Sequence, residues 1–292
     1  MDRDVALLCN PSAGGGRAAR ILPEVEAALG SLGVAFHTEM TRDLEHARAL
    51  AAAAATAGEA AVALGGDGFV GCVAGAIRGT PAPLLGILPG GRGNDLAHSL
   101  GIPREPRAAC AVIAAGAERP LDAGDIDGRT FVVIASLGLD SDANRIANAA
   151  PRRLGRLAYG YGALRALAAW QPARFDLRLD GEPLQFSGYS VAAANAPRYG
   201  AGMLLAPGAR LDDGLFDVVL TGRLSKRRFV VALPKVFKGT HIHEPGVRVL
   251  RARVLHVDAD RPFVVYGDGE PIGETPVTMR VVPGALRVLA PA

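Results

Sequence analysis

Residues 60–77 read AAVALGGDGFVGCVAGAI, and this stretch decides the fold class of the first half of the chain. Its apolar start, Ala60–Leu64, predicts a buried strand, and Phe69–Ile77 predicts a helix. Between them stands the turn Gly65-Gly66-Asp67-Gly68. A strand that passes through a glycine turn into a helix is the repeating unit of parallel sheets covered by helices, so we expect an α/β domain around it.

Apolar runs and helical patterns alternate on both sides of this stretch. In chain order they are strand Val5–Cys9, helix Arg17–Leu29, strand Val34–Thr38, helix Leu44–Ala57 and, beyond residue 77, strand Leu84–Leu88 and helix Asp95–Leu100. This order predicts an open parallel sheet, in which ligands bind at the carboxyl ends of the strands.

From about Asp122 the pattern changes to short strand-like runs broken by Gly, Asp and Pro. The predicted strands are Phe131–Ser136, Phe175–Leu179, Ser190–Ala194, Phe216–Leu220, Val249–Val257, Phe263–Tyr266 and Val277–Val282. Their spacing predicts an all-β sandwich, interrupted by one helical segment, Ala150–Trp170. The predicted domains are therefore an α/β domain at residues 1–122 and a β-sandwich domain at residues 123–292.

Two further glycine turns follow predicted strands. They are Asn10-Pro11-Ser12-Ala13-Gly14-Gly15-Gly16-Arg17 and Leu88-Pro89-Gly90-Gly91-Arg92-Gly93-Asn94-Asp95. Backbone amides at such turns and at helix N-termini bind phosphate, although the first turn lacks the Gly-Lys-Ser/Thr ending of a Walker A loop. Asp67 and Asp95 could hold Mg²⁺, and Arg17 and Arg92 could supply cations. Three such turns predict a binding site for a nucleoside triphosphate and its metal ion.

The motifs Asn-Pro-x-x-Gly-x-Gly, Gly-Gly-Asp-Gly and Pro-Gly-Gly-x-x-Asn-Asp resemble, in this order and spacing, the diacylglycerol kinase catalytic domain family. That family includes bacterial lipid kinases and is related to sphingosine kinases and, more distantly, to NAD kinases. The match extends over the second half at Asn195, Gly200, Gly202, Pro207–Val218 and Asp268-Gly269-Glu270.

The resemblance implies an NAD-kinase-like α/β domain, a β-sandwich domain for the lipid substrate, and ATP-dependent phosphorylation of the hydroxyl of diacylglycerol or a similar membrane lipid. It implies ATP contacts along Asn10–Gly14, Thr41, Gly66–Cys72 and Arg92. Together with the turns, the expected nucleotide-binding residues are Asn10, Pro11, Ser12, Ala13, Gly14, Gly16, Arg17, Thr41, Gly65, Gly66, Asp67, Gly68, Gly91, Arg92 and Asn94.

The expected catalytic residues are Asp268, Glu270 and Asp67. By resemblance the Asp-Gly-Glu loop faces the phosphates, and residues i and i+2 of an extended segment point the same way, so either carboxylate could accept the proton of the lipid hydroxyl. A plain hairpin turn at Gly267–Gly269 is the alternative interpretation. Resemblance to bacterial members also implies a structural Mg²⁺ held by the carbonyls of Arg210 and Leu215 and the side chain of Asp213.

The chain departs from the family pattern at two places. Phe69-Val70-Gly71-Cys72 stands where bacterial members usually have Thr-x-Asn-Glu, which removes side-chain contacts to the nucleotide, and Arg92 replaces a Thr. A nucleotide-binding homologue without turnover therefore stays open as an alternative. An NAD kinase-like enzyme with a soluble substrate is a second alternative, because NAD kinases share the Gly-Gly-Asp-Gly turn and the two-domain plan.

The composition limits where the protein can be located and what it can bind. No stretch without charged residues reaches the roughly 20 apolar residues of a spanning helix, and the charged start Asp2-Arg3-Asp4 is unlike a signal peptide, so we expect a cytoplasmic protein that contacts the membrane peripherally. The net charge is only +3, and no nucleic-acid partner is expected. A homodimer stays possible. We expect Arg223–Arg228 to be a solvated face and Ala150–Trp170 to pack on the sandwich, with contact to a bilayer as the alternative for each segment. His241-x-His243 is expected to be a packing or surface feature.

Overall fold

The structure is a computed structural model that describes residues 4–151, 158–200 and 202–291. By internal contacts the chain divides into two compact units, Met1–Ala123 with Pro283–Ala292, and Gly124–Val282. The C-terminal segment Pro283–Ala292, which the sequence-based division grouped with the second domain, thus belongs to the first unit. The reason is a long-range pairing: Arg287 and Val288 lie beside Leu84 and Leu85 as parallel strand partners.

The first unit alternates strands and helices. Its elements are β1 (Val5–Cys9), α1 (Ala13–Ser31), β2 (Phe36–Met40), α2 (Leu44–Thr56), β3 (Ala60–Gly65), α3 (Asp67–Ile77), β4 (Leu84–Pro89), α4 (Asp95–Ser99) and α5 (Pro106–Ala115). β5 (Glu118–Ile126) and β15 (Val277–Leu289) each cross the boundary between the units in sequence.

The strands of the first unit form a parallel sheet in the order β2-β1-β3-β4, followed by the end of β15. Every residue of β1, β3 and β4 is buried, as expected for apolar strands covered by helices on both faces. The predicted α/β fold is confirmed. Helix α5, which begins with a proline at its first turn, was not predicted from the sequence.

The second unit is mostly antiparallel β-structure. Its elements are β6 (Arg129–Phe131), β7 (Ile134–Gly138), α6 (Leu139–Asn148), α7 (Ala158–Ala169), β8 (Ala173–Leu179), β9 (Glu182–Ala194), β10 (Phe216–Gly222), α8 (Lys226–Val236), a 3₁₀ turn (Thr240–His243), β11 (Val247–Ala252), β12 (Val254–Ala259), β13 (Val264–Gly267) and β14 (Glu270–Glu274).

Strand β9 takes part in both layers of this unit. Its first half pairs with β8, which continues to β12 and β15, and its second half pairs with β10 on one side and β7 on the other. Between the layers lies an apolar core that includes Phe131, Phe175 and Phe216, and the Phe131 and Phe216 rings stack at 5.5 Å. The predicted β-sandwich is confirmed.

Three hairpins of the second unit turn on the dipeptide Asp-Gly. Asp127, Asp180 and Asp268 have φ angles of 49°, 50° and 51°, and the glycine that follows each is also left-handed. Two successive left-handed residues make the tight hairpin turn that matches the twist of antiparallel strands, and Asp-Gly is a preferred sequence for it. The family-like Asp268-Gly269 is therefore also a hairpin turn.

The helices of this unit differ from the prediction. Within the predicted segment Ala150–Trp170 the structure describes α7, and residues 152–157, which carry the arginines of that prediction, lie outside the described part of the chain. Helices α6 and α8 were not predicted. No helix in the described residues is long and apolar enough to cross a membrane.

Candidate active site

The three glycine turns come together at the carboxyl ends of β1, β3 and β4. The amides of Gly90 and Gly91 both donate to the carbonyl of Gly65, at 2.8 and 2.9 Å, and the amide of Asn10 donates to the carbonyl of Leu64 at 3.1 Å. The expectation that these turns meet at one edge of the sheet therefore agrees with the structure.

Glycine is required where the turns touch. Gly14 has a φ of 61°, and a Cβ built there would lie 2.4 Å from the carbonyl oxygen of Gly90. A Cβ on Gly91 would lie 2.3 Å from the Cα of Gly66. By contrast, Gly15 and Gly16 are left-handed but face open space. A phosphate can approach the backbone closely only where no side chain stands in the way and the space is open, and these glycines meet both conditions.

Arg17 joins the first turn to the third. Its Nη1 donates to the carbonyl of Pro89 at 2.6 Å, and its Nη2 is 3.4 Å from the carbonyl of Arg104. Arg92 is exposed in the third turn. Arg17 therefore fixes the loop geometry, while Arg92 is the cation better placed to contact a ligand from solvent.

Several expected nucleotide-binding side chains shape the turns. Buried Asn94 has a φ of 57°, accepts from the Gly91 amide at 2.8 Å and donates to the Gly91 carbonyl at 3.0 Å. The Asn10 side-chain oxygen accepts from the amide and hydroxyl of Ser12 at 3.1 and 2.8 Å. The hydroxyl of Thr41 donates to the carbonyl of Cys9 at 3.1 Å. Their hydrogen bonds hold the backbone that a phosphate would meet.

Asp67 lies against the start of α4. Its Oδ1 accepts from the amide of Leu96 at 3.2 Å. Burial raises the pKa of this carboxyl, and the nearby amides of Leu96, Asp95 and Asn94 oppose that shift. Asp67 is half-buried, so its carboxylate remains accessible to a cation at this edge of the sheet.

The described residues contain no group of three or more His, Cys, Asp and Glu side chains that could hold a metal alone. Mg²⁺ usually takes one or two protein carboxylates and completes its shell with substrate phosphates and water. Asp67 fits that pattern. Asp95 is buried at the first position of α4, 4% exposed.

The residues that replace the usual family pattern pack inside the first unit. The Phe69 ring covers Gly65, where a Cβ would lie 2.4 Å from Cδ1 of the ring. Cys72 directs its thiol to the carbonyl of Leu44 at 3.4 Å. These side chains tie α3 to β3 and α2.

In the second unit, Asp268 is engaged by three backbone amides. Its Oδ2 accepts from Val132 at 2.7 Å, and its Oδ1 accepts from Val133 and Ile134 at 2.9 and 3.1 Å. Asp180, in the equivalent position of another Asp-Gly hairpin, accepts from the amides of Arg253 and Val254. Asp268 thus anchors a hairpin to a neighbouring segment.

Glu270 is placed differently from Asp268. It is exposed at the first residue of β14, opposite Gly267 in the hairpin ladder. Within the described part of the chain its carboxylate makes no hydrogen bond or ion pair. Of the two carboxylates, that of Glu270 is the more exposed to solvent.

The expected structural Mg²⁺ site holds an arginine. Asp213 forms an ion pair with Arg251, whose Nε also donates to the buried carboxylate of Asp217 at 3.2 Å. Nε of Arg210 lies 3.6 Å from Oδ1 of Asp212. The Arg251 guanidinium offsets one of the two negative charges, and Oδ1 of Asp213 also accepts from the amide of Leu215 at 3.2 Å, so the side chain of Asp213 is already engaged by protein groups. The Mg²⁺ site stays a prediction. Sequence reasoning missed Arg251, because no local pattern connects it with Asp213.

Comparison with known proteins bears on the whole chain. Residues 4–126 match the family model of the diacylglycerol kinase catalytic domain, and residues 133–290 match that of the YegS C-terminal NAD kinase beta sandwich-like domain. The chain is 34% identical over 296 residues to a protein named diacylglycerol kinase from Mycobacterium tuberculosis, covering 98% of this chain and 95% of that protein. This chain belongs to the diacylglycerol kinase family. The sequence-based resemblance is confirmed.

A second relative and a solved structure are also similar to this chain. A Bacillus subtilis protein named diacylglycerol kinase is 30% identical over 219 residues, covering 74% of this chain and 72% of that protein. A crystal structure of a diacylglycerol kinase from Bacillus anthracis str. Sterne superposes with a TM-score of 0.83 at 21% identity, covering 99% of this chain and 97% of that one. At that identity the structural likeness shows the fold.

Proposed function

We propose that this chain is an ATP-dependent lipid kinase that phosphorylates the hydroxyl of diacylglycerol or a similar membrane lipid. The observation that carries the proposal is the meeting of three glycine turns around Asp67, with Gly15 and Gly16 facing open space, in a member of the diacylglycerol kinase family. The NAD kinase-like alternative shares the α/β plan and enters the test as a second acceptor.

The first unit binds the nucleotide in this proposal. The backbone at Gly15 and Gly16 approaches the phosphates, and Arg92 adds a charge-assisted hydrogen bond. Asn10, Asn94 and Arg17 hold the turns in place through the hydrogen bonds described above. Rigid, pre-positioned donors stabilise the charge that develops on phosphoryl oxygens without reorganisation.

Asp67 is the carboxylate that would hold Mg²⁺ together with the phosphates. When bound, the ion neutralises charge on the oxygens of the transferred group. Partial burial of Asp67 lowers the effective dielectric constant around its carboxylate, which strengthens its attraction to a cation.

Glu270 is the proposed general base. Because it is exposed and its carboxylate makes no hydrogen bond within the described residues, it can accept the proton of the lipid hydroxyl, whereas the carboxylate of Asp268 is occupied by backbone amides. Asp268 is then a positioning residue that fixes the hairpin carrying Glu270.

A lipid acceptor requires the enzyme to reach a membrane surface. We therefore place the protein in the cytoplasm with peripheral contact to the bilayer. Diacylglycerol is the acceptor suggested by the names of the relatives, and a sphingoid base or phosphatidylglycerol is the next to examine.

The test is transfer of radiolabelled γ-phosphate from MgATP to a panel of lipids in mixed micelles, with NAD as a soluble acceptor. Asp67→Asn keeps an acceptor for the Leu96 amide but removes the charge, so we expect a loss of about 100-fold or more with little change in melting temperature. Label on NAD alone, or equal labelling of lipid by wild type and variant, would overturn the proposal.

A further inference from the structure

Helix α8 exposes an unusual combination of side chains. Arg227, Val230, Val231 and Pro234 recur at the i, i+3, i+4, i+7 spacing of one helix face, and all are exposed. Val230 and Val231 are 44% and 67% exposed, and Phe237, just beyond the helix, is 54% exposed. Large apolar side chains that are exposed together on one helix face indicate a binding surface.

The opposite face of α8 packs against its neighbours. Phe229, Ala232, Leu233 and Val236 line a mostly apolar cavity, and the Phe229 ring lies 4.9 Å from that of Tyr189. The helix therefore cannot rotate to bury its outer valines without exposing this inner set. The outer face keeps its apolar groups in water unless a partner covers them.

Cations surround the exposed valines. Residues 223–243 contain Arg223, Lys226, Arg227, Arg228, Lys235 and Lys238 and no acidic residue. Glu244 pairs with Arg228 and Lys235, at 3.5 and 2.5 Å. In the described part of the chain Arg223, Lys226, Arg227 and Lys238 have no ion pair. An apolar face ringed by uncompensated cations complements an anionic surface.

Helix α7 extends the exposed surface. Tyr161 and Leu164 are 41% and 50% exposed, and α7 is joined to α8 by a hydrogen bond of 2.7 Å from the Lys226 ammonium to the carbonyl of Ala168. Two neighbouring helices therefore both present apolar side chains to solvent.

We propose that Arg227, Val230, Val231, Phe237 and Lys238, here named the α8 surface, form a docking surface for an anionic phospholipid bilayer. Helices that lie in the membrane interface bury apolar residues among the head groups and place Lys and Arg against anionic lipid. A second copy of this chain is a poorer occupant, because it would bring the same cations together. The inference rests on the proposed lipid kinase function and names the surface that reaches the lipid.

The test is flotation of the full chain with vesicles of phosphatidylcholine, with and without phosphatidylglycerol, at low and high salt. We expect binding that requires phosphatidylglycerol and weakens with salt. Arg227→Gln combined with Lys238→Gln should weaken the partition coefficient by about 25-fold, since each cation contributes about fivefold. Val231→Ser should weaken it by about threefold or more.

Matched controls lie elsewhere on the same unit. Val249 is 37% exposed on β11 and Arg280 is exposed on β15, so Val249→Ser and Arg280→Gln should leave vesicle binding unchanged. Melting temperatures confirm that every variant folds. No binding to anionic vesicles, or equal losses in α8 variants and controls, would overturn the proposal, as would dimers that depend on Val231.

The assay separates this inference from the function on which it rests. Turnover by the wild type is measured with a dispersed short-chain diacylglycerol, which needs no vesicle. Turnover without vesicle binding rejects the docking surface and keeps the kinase. Vesicle binding lost in the α8 variants, with no lipid phosphorylated, keeps the docking surface and rejects the kinase.

Discussion

Two hydrogen bonds join Asp268 and Ile134. The amide of Ile134 donates to Oδ1 of Asp268 at 3.1 Å, and the amide of Asp268 donates to the carbonyl of Ile134 at 3.0 Å. This reciprocal pair fixes the β13–β14 hairpin to the start of β7. It also separates the two carboxylates of the Asp-Gly-Glu loop into one that holds the loop and one that is exposed.

Glu270→Gln should remove activity without affecting folding. The neutral amide cannot accept the proton of the acceptor hydroxyl, so we expect kcat to fall by about 100-fold or more at an unchanged melting temperature. Measurements of kcat and thermal unfolding on the same preparation check both parts. A kcat within about twofold of wild type would remove Glu270 from the mechanism.

Asp268→Asn should act chiefly on stability. The amide group of Asn would face one of the three backbone donors, leaving it unpaired, at a cost of about 1–3 kcal/mol in the free energy of unfolding. Asp180→Asn is the matched control, because Asp180 holds its hairpin by the same kind of contact. The control should be destabilised with kcat unaffected. If Asp268→Asn is as stable as the wild type yet inactive, Asp268 acts in catalysis and does not serve only to position the hairpin.

Gly14→Ala should destabilise the first unit. The new Cβ combines a left-handed backbone with a clash against Gly90, and we expect a loss of about 2 kcal/mol or more by denaturant unfolding. Gly30, near the end of α1, has no neighbour within 4 Å of a Cβ. Gly30→Ala should be neutral or stabilising by up to about 1 kcal/mol. Equal effects at both positions would contradict the turn-to-turn contact.

Arg251→Gln should destabilise the second unit, and a chelator should not. The substitution leaves the buried carboxylate of Asp217 without its cation, which costs about 1–3 kcal/mol. Arg248→Gln on the same strand is the control, since exposed Arg248 makes no ion pair in the described residues. Thermal unfolding with and without EDTA checks the claim. A melting temperature lowered by EDTA would show a metal at Asp213.

Asp140 should make stability fall as the pH rises. Burial raises its pKa from 3.8 to about 7, with a hydrogen bond from Ser190 opposing the shift. The folded protein therefore keeps a proton that the unfolded chain releases between about pH 4 and pH 7. At about 1.4 kcal/mol per pKa unit, the upper bound is about 4 kcal/mol, reached above about pH 7.

Asp140→Asn removes this dependence because the amide stays neutral. The free energy of unfolding of the variant minus that of the wild type should rise from pH 4 to pH 7 and then level off. Denaturant unfolding across this range measures the difference, which cancels the titration of the other acidic groups. A difference that does not change with pH would show that Asp140 is ionised throughout.

Local patterns predicted the elements that are continuous in sequence. The apolar strands β1, β3 and β4 and their glycine turns are visible because each signal occupies a few adjacent residues. Helices α5, α6 and α8 were missed. In α8, Pro234 stands inside the helix, where a proline removes a backbone donor and normally argues against helix. For the candidate site, the turns were predicted, but the partners of Asp268 and Asp213 were not.

The sequence by itself determined the family, the α/β and β-sandwich classes, and the positions of the three glycine turns, since motif spacing and hydrophobic periodicity are local properties. Only the tertiary structure decided what each polar group does. Asp268 accepts hydrogen bonds from amides more than 130 positions away in the chain, and Asp213 forms an ion pair with Arg251, 38 positions away. Hydrogen bonds and ion pairs depend on distances that only the folded chain brings into range.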